Sequence, residues 1–361
     1  MEKLRIGIVG CGGIANGKHM PSLKKLADKV EMVAFCDIVP EKAEQAVKDY
    51  GTPDAKAYVD YHELLEDKSI DVVHVCTPNR SHAEITVAAL EAGKHVMCEK
   101  PMAKTAADAR LMLDAAKRTG KKLTIGYQNR CYPRCLLLKR ACDEGELGEI
   151  YYAKAHAVRR RAVPNWGVFL NEYEQGGGPL IDIGTHALDL TLWMMNNYKP
   201  KSVMGQTFRK LCNQSDTGNA WGDWDPKDFT VEDSAFGFIK MENGATIVLE
   251  SSWALNTLDV KEAQTTLCGT MGGADMIDGL RFNRIHLGRQ VVEQVDLNAG
   301  GVAFYDGASA ADPAELECSQ WITSILNDTN PLVLPEQALV VTEILEAIYT
   351  SSKTGKAVYF D

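Results

Sequence analysis

The stretch Leu4-Arg5-Ile6-Gly7-Ile8-Val9-Gly10-Cys11-Gly12-Gly13-Ile14-Ala15 stands at the head of the chain. Its first six residues form a short, largely apolar run closed by glycine, the pattern of a buried strand. Gly10-x-Gly12-x-x-Ala15 follows without a break. In that spacing the first glycine permits a tight turn. The second lets backbone approach a pyrophosphate, and the small third residue lets a helix pack on the strand. A helix running on to about Lys29 would aim free N–H groups and a positive dipole end at the phosphates. Alone, this spacing also marks ordinary turns. Here a strand precedes it, a helix pattern follows, and Asp37 ends the next strand, Val30–Cys36, 22 positions beyond Ala15. Gly10, Gly12, Gly13, Ile14 and Asp37 are therefore candidate dinucleotide contacts. A carboxylate at Asp37 accepts ribose hydroxyls and repels a 2′-phosphate, and Ile38 rather than an arginine follows it, so NAD is expected over NADP.

Outward from that point the chain alternates. Helix patterns at Glu41–Tyr50, Tyr61–Glu66, Ser81–Ala92 and from Thr105 to Thr119 separate strand patterns at Val72–Cys76, His95–Cys98 and Leu123–Ile125. Ser81 and Thr105 stand where N-caps belong, and Gly93 and Gly120 stand where helices stop. Strands alternating with helices imply right-handed crossovers and a parallel sheet covered on both faces. Near residue 126 the pattern changes. Pro133–Glu144 and Asp182–Met195 are helical, but strands dominate: Ile150–Val158, Ser202–Phe208, Ser234–Lys240, Thr246–Trp253, Ala263–Leu267 and shorter ones through 295. Asn243-Gly244 marks a hairpin turn. The polar stretch 213–228 is the expected long loop, and two helices, near 313–326 and 336–351, close the chain. The expected fold is an α/β dinucleotide-binding domain over 1–126. An α+β domain with a large, mostly antiparallel sheet follows over 127–361, with a C-terminal helix allowed to pack back on the first domain.

Composition narrows the function. The 361 residues suit about two domains, and 45% hydrophobic with 24% charged residues is ordinary for a globular chain. A net charge of −10 without a basic block offers nothing to nucleic acid. No apolar run approaches membrane-spanning length, and the first residues lack a leader pattern. The ten cysteines are scattered with no Cys-x-x-Cys pair. They predict buried thiols in a reducing, cytoplasmic setting rather than a disulfide framework. No histidine completes a zinc pattern near Cys131, Cys135 and Cys142, so no metal site is expected.

Two further groups carry chemistry. Glu99-Lys100-Pro101 follows the strand His95–Cys98, at the carboxyl edge where open α/β sheets bind ligands. A lysine there can offer a cation to a developing alkoxide, or simply be a solvated loop lysine. Asp182 and His186 are four apart on one predicted helix, with Asp189 near the same face, and Gly176-Gly177-Gly178 precedes them. A histidine beside a carboxylate suits a general base. The same residues equally describe a surface ion pair or a core histidine.

Taken in order, Gly10-x-Gly12-x-x-Ala15, Thr77-Pro78-Asn79 with His82, Glu99-Lys100-Pro101, and Gly176-Gly177-Gly178-x-x-x-Asp182-x-Gly184-x-His186 resemble the Gfo/Idh/MocA oxidoreductases. That family includes inositol dehydrogenases, glucose–fructose oxidoreductase and many sugar dehydrogenases. The resemblance runs through nearly the whole chain. It implies a Rossmann domain, then a sheet domain whose open face often mediates oligomerisation, with the active site between them. By position it implies His186 as the base taking a hydroxyl proton, Asp182 orienting it, and Lys100 steadying the alkoxide beside the nicotinamide. It further implies that Thr77, Asn79, His82, Glu99 and Gln128 line the cofactor. Tyr127 and Arg130 fall at the domain junction. Arg161, Asn165 and Trp166, within the run Arg159–Phe169, supply cations, an amide and an aromatic ring before the catalytic helix. This stretch is similar to branches that oxidise glucosides at the ring C3 hydroxyl. The expected activity is NAD-dependent oxidation of a sugar's secondary hydroxyl, C3 of a glucoside foremost. A myo-inositol or aldose dehydrogenase and a redox-neutral NAD-dependent glycosidase are the alternatives. A non-catalytic NAD sensor would have no need of Lys100, Asp182 and His186 together. A homo-oligomer is expected, because an exposed sheet face is otherwise an apolar liability.

Overall fold

The computed structural model describes residues 3–214, 216–297 and 312–360. Six strands build the first sheet: β1 (Leu4–Val9), β2 (Val30–Cys36), β3 (Lys56–Tyr58), β4 (Val72–Val75), β5 (His95–Cys98) and β6 (Leu123–Ile125). They are all parallel, in the order β3-β2-β1-β4-β5-β6. That is the order of a doubly wound dinucleotide-binding sheet, with its switch point between β1 and β4. Strands β4 and β5 are buried almost throughout, which is why they are continuous apolar runs without alternation. β3 escaped the sequence reading because it is a three-residue edge strand, mostly exposed, with no apolar pattern.

The helices differ from expectation in detail. After the glycine-rich turn, the chain forms a π-helical turn, Ala15–His19, then a short α-helix, Met20–Lys24. The helix ends five residues before Lys29. Thr105 caps Ala106–Thr119 through Asp108 N–H, and Gly120 ends it with φ +66°. Ser81 precedes His82–Glu91 but does not cap it; its hydroxyl donates to Thr77 Oγ1 and lies against Pro78 O instead.

The second sheet has nine strands: β7 (Ile150–Val158), β8 (Pro200–Phe208), β9 (Ser234–Met241), β10 (Thr246–Ser252), β11 (Lys261–Gly269), β12 (Gly272–Asp275), β13 (Arg281–His286), β14 (Arg289–Gln294) and β15 (Val358–Tyr359). Their order is β14-β13-β12-β11-β7-β10-β9-β8-β15, and only β7 with β10 is parallel. Alternation decides the faces. Val203, Ala235, Ile239, Ile247, Leu249, Ala153, Ala155 and Leu267 point inward and are buried. Register aligns Met204, Phe238, Val248, Lys154 and Thr266 in a row on the opposite face, where Met204 and Phe238 are half exposed.

The chain divides into two compact units, Met1–Gln128 with Ala311–Leu339, and Asn129–Ala310 with Val340–Asp361. The boundary after Gln128 lies two residues beyond the expected 126/127 division, which allowed a C-terminal helix to pack back on the first domain. The helix Pro313–Leu326 belongs to the first unit, where Cys318, Trp321 and Ile322 join Ile6, Ile8, Met20, Leu23 and Phe35 in one core. No local signal marks such a return, because its cause is an apolar helix face that matches a distant core. All ten cysteines are free thiols, eight of them buried.

Candidate active site

The cofactor-binding features lie in the first unit. Gly10 has φ +93°, and a Cβ there would lie 2.7 Å from the Cys76 carbonyl, so packing and backbone both require glycine. Gly12 and Gly13 are different: a Cβ on either would meet nothing within 4 Å. The fold does not demand glycine there, which fits a site left open for the close approach of a pyrophosphate. Asp37 Oδ2 accepts from Cys11 N–H at 2.8 Å and Oδ1 from Val39 N–H at 2.9 Å. The carboxylate is thereby fixed beside the glycine turn, each oxygen keeping a lone pair for a ribose hydroxyl. Ile14 is 41% and Ile38 is 87% exposed, apolar cover suited to an adenine ring. These residues fit a dinucleotide. Thr77, Asn79, Lys100 and Gln128 are partly exposed at strand ends or turns of the same unit.

Two of the expected cofactor contacts, His82 and Glu99, have buried side chains with protein partners. His82 is fully buried. Its Nδ1 lies 2.8 Å from Pro101 O and its Nε2 2.9 Å from Thr77 O, and the neutral ring donates to one of these carbonyls according to its tautomer. Burial holds this imidazole below its ordinary pKa against the pull of the two carbonyls. Glu99 is buried as well. Oε1 accepts from Lys18 Nζ at 2.7 Å and His19 Nε2 at 2.8 Å, while Oε2 accepts from the backbone N–H of Lys100 at 3.1 Å. Burial alone would raise the Glu99 pKa, but Lys18 and His19 drive it well below the carboxylate range. Lys18 also meets Glu317 at 2.8 Å. His19 Nδ1 faces His74 Nδ1 at 2.9 Å. Sequence reasoning missed this cluster, for its members lie on β4, the end of β5, the first π-turn and a helix near residue 317.

The second unit holds Asp182 and His186. They do not share a uniform helix: Asp182 lies in a π-helical turn, Leu180–Gly184, and His186 in the first turn of the α-helix Thr185–Met195. π-turns recur at functional sites because they re-aim side chains. From Gly177 to Met194 every residue is buried except Asp182 and His186. Asp182 Oδ2 accepts from the indole Nε1–H of the buried Trp253 at 3.1 Å. The glycines now have reasons. A Cβ on Gly177 would fall 2.0 Å from Tyr349 Oη, and one on Gly178 2.3 Å from Glu232 O. A Cβ on Gly184 would press on Ser251 at 3.0 Å, whose hydroxyl donates to Pro179 O. Glu232, absent from the sequence reading, accepts from Gly178 N–H at 2.9 Å, Leu180 N–H at 3.1 Å and Tyr349 O–H at 2.8 Å. Its carboxylate thus holds the entry of the Asp182 segment, and burial lifts its pKa to about 6.

Several substrate candidates are engaged by the protein itself. Arg130 is wholly buried and grips Asp189 through Nε at 2.9 Å and Nη2 at 2.6 Å, with Trp193 beneath its guanidinium. Asp189 is therefore internal, not part of the open face, and Arg130 faces protein rather than substrate. Tyr127 is also buried. Asn165 Nδ2 lies 2.8–3.1 Å from the carbonyls of Trp221, Gly222 and Asp223, fastening that loop. Arg161 donates to Asn256 Oδ1 at 2.6 Å. Trp166 stays half exposed.

Residues 4–127 match the oxidoreductase family with an NAD-binding Rossmann fold, and residues 135–275 match the GFO/IDH/MocA C-terminal domain. The chain belongs to the Gfo/Idh/MocA oxidoreductase family. Its relatives include D-glucoside 3-dehydrogenase of Escherichia coli K12, 36% identical over 98% of this chain and 97% of that protein. Inositol 2-dehydrogenase of Salmonella typhimurium LT2 is 37% identical, over 55% of this chain and 57% of that protein. Among solved structures, levoglucosan dehydrogenase in complex with NADH and levoglucosan has TM-score 0.83 at 20% identity, covering 99% of both chains. An oxidoreductase domain protein from Kribbella flavida reaches 0.86 at 24%, covering both chains in full. These two share the Gfo/Idh/MocA fold with this chain. As a member of the family, the protein is an NAD-binding oxidoreductase. No helix among the described residues is long and apolar enough to cross a membrane.

Proposed function

We propose that the protein is a sugar dehydrogenase that oxidises a secondary ring hydroxyl, C3 of a glucoside, to the ketone. The observation that carries the reading is the segment Gly177–Met194, where packing buries everything except a carboxylate and an imidazole. Buried helices do not leave two polar side chains open without use. His186 takes the hydroxyl proton and passes it to solvent. Asp182, held by Trp253, orients the imidazole. Lys100, its backbone fixed by Glu99, is the cation that steadies the alkoxide in this reading. NAD, when bound, supplies the hydride acceptor for the carbon-bound hydrogen. Asp37 favours NAD over NADP, because a 2′-phosphate would bring negative charge against a fixed carboxylate. Similarity to D-glucoside 3-dehydrogenase along nearly the whole chain supports C3 of a glucoside. Partial similarity to inositol 2-dehydrogenases keeps a cyclitol as the second reading. Ten free cysteines support a cytoplasmic protein. The half-exposed Met204 and Phe238 row on the open sheet face supports pairing with a second copy of this chain.

The test is NADH absorbance on mixing enzyme and NAD with methyl glucoside, phenyl glucoside, glucose and myo-inositol. Glucoside-dependent NADH, lost in His186→Ala and Lys100→Ala, is the expected result. Reduction by myo-inositol alone would replace the glucoside reading with the cyclitol one. Release of aglycone without NADH would mark a redox-neutral glycosidase.

A further inference from the structure

The loop that the sequence left as polar, 213–228, carries a tryptophan with a definite place. Trp221 and Trp166 meet with ring centroids 5.0 Å apart at an interplanar angle of 79°, and Phe169 edges Trp166 at 5.9 Å. Trp166 is 50% and Trp221 45% exposed, whereas Trp193, Trp224, Trp253 and Trp321 are buried. The corner they form is rigid. Asn219 bonds both N–H and C=O of Val163, at 2.8 and 3.0 Å. Ala220 N–H donates to Arg161 O, and Asn165 clasps the carbonyls of 221–223. Gly222, at φ +86°, allows the turn. A loop held this firmly has lost its freedom before any ligand arrives, which favours binding.

The corner is linked to Asp182 through Trp253. The Arg159 guanidinium lies over the Trp221 ring at 5.4 Å. Ala162 N–H donates to Trp253 O, and the Trp253 indole holds Asp182. Three polar side chains around the rings are already engaged. Arg159 grips Glu262 at 2.6 and 2.5 Å, Arg161 donates to Asn256 and Arg160 O, and the Asn165 amide holds its loop. What the corner chiefly offers a ligand is aromatic surface, which suits a flat apolar ring.

We propose that Trp166 and Trp221 form an aglycone subsite that takes a planar aryl group attached to the sugar oxidised beside Asp182 and His186. The inference rests on the glycoside reading above, and Trp221 is its new residue. The experiment uses the full-length enzyme and its Trp221→Leu, Trp166→Leu and Trp221→Phe variants. The kcat/KM ratio of phenyl glucoside to methyl glucoside is expected to fall roughly 3- to 10-fold in each leucine variant, the range of an aromatic contact, and to recover in Trp221→Phe. Equal losses on both substrates would show a merely structural role and overturn the subsite. A larger loss on a glucosyl glucoside than on phenyl glucoside would overturn the aryl class. Titration calorimetry with phenyl glucoside separates the subsite from the reaction. Binding that weakens in Trp221→Leu, in an enzyme that oxidises no glucoside, would sustain the subsite and sink the reaction. Absence of binding, or tryptophan fluorescence that follows protein dilution instead of ligand, would show the corner covered by a second copy and overturn the proposal.

Discussion

Lys18 is a buried cation. Two carboxylates, Glu99 and Glu317, lie within 2.8 Å of its ammonium, and all three side chains are more than nine-tenths buried. Removing one partner of a buried pair leaves uncompensated charge, which costs about 3–5 kcal/mol. Lys18→Met should therefore lower unfolding free energy by that order in urea titrations, more than any surface lysine replaced in the same way. The pH sign follows from Glu99. Its folded pKa is depressed, so its stabilisation is present above the ordinary carboxylate pKa and is lost as pH falls toward the folded value. At the same scale, His186→Ala should cut turnover roughly 10²- to 10⁴-fold while NADH titration shows binding retained, because a general base acts on the chemical step. Asp37→Ala should instead raise the NADH dissociation constant; an unchanged constant would refute the ribose assignment.

The segment Gly176–Met195 shows how an element is shaped by what it packs against. Gly178 faces the backbone oxygen of Glu232, which has no rotamer to move, whereas Gly177 faces the end of the Tyr349 side chain. Gly178→Ala and Gly177→Ala should each destabilise by about 1–3 kcal/mol, the usual cost of overpacking. Only the second should be partly rescued by Tyr349→Ala, and a double-mutant cycle in thermal unfolding measures the difference. Glu232 gives the element a pH dependence. Its folded pKa of about 6 lies above the ordinary 4.5. Between those values the folded state binds more protons than the unfolded one, so stability falls as pH rises through the window, by about 2 kcal/mol. Glu232→Gln should flatten the unfolding free energy between pH 4.5 and 6. A slope that persisted would assign it to another group.

At the scale of the whole chain, two faces matter. The first unit is completed by a helix from beyond residue 312, whose Trp321 is buried in the same core as Ile6 and Phe35. Trp321→Ala should cost about 3–5 kcal/mol and lower the melting temperature, although the residue lies 284 positions from Asp37. The open face of the nine-stranded sheet is the other. If it pairs with a second copy, Phe238→Glu places charge in an apolar contact and should shift the sedimentation coefficient to that of a monomer. An unchanged coefficient would place the interface elsewhere.

What could be known from the sequence was local. Glycine spacing, an apolar run before it and an acidic residue after the next strand identify the cofactor turn, because each needs only its neighbours. Asp182 and His186 were legible as a motif, but so was a surface ion pair, and the burial of their neighbours, which only the fold supplies, is what supports the proposed role. The remainder lay beyond local signals. Lys18 meets Glu99 across 81 positions and Arg130 meets Asp189 across 59. Glu232 reaches Gly178 across 54 and Tyr349 across 117. Nothing in periodicity or propensity pairs such residues. Their partners are chosen when burial removes water and leaves each polar group only the acceptors or donors that the fold has brought within reach. For the same reason the partners of Arg130, Glu99 and His82, residues the family resemblance places near the ligands, come into view only in three dimensions.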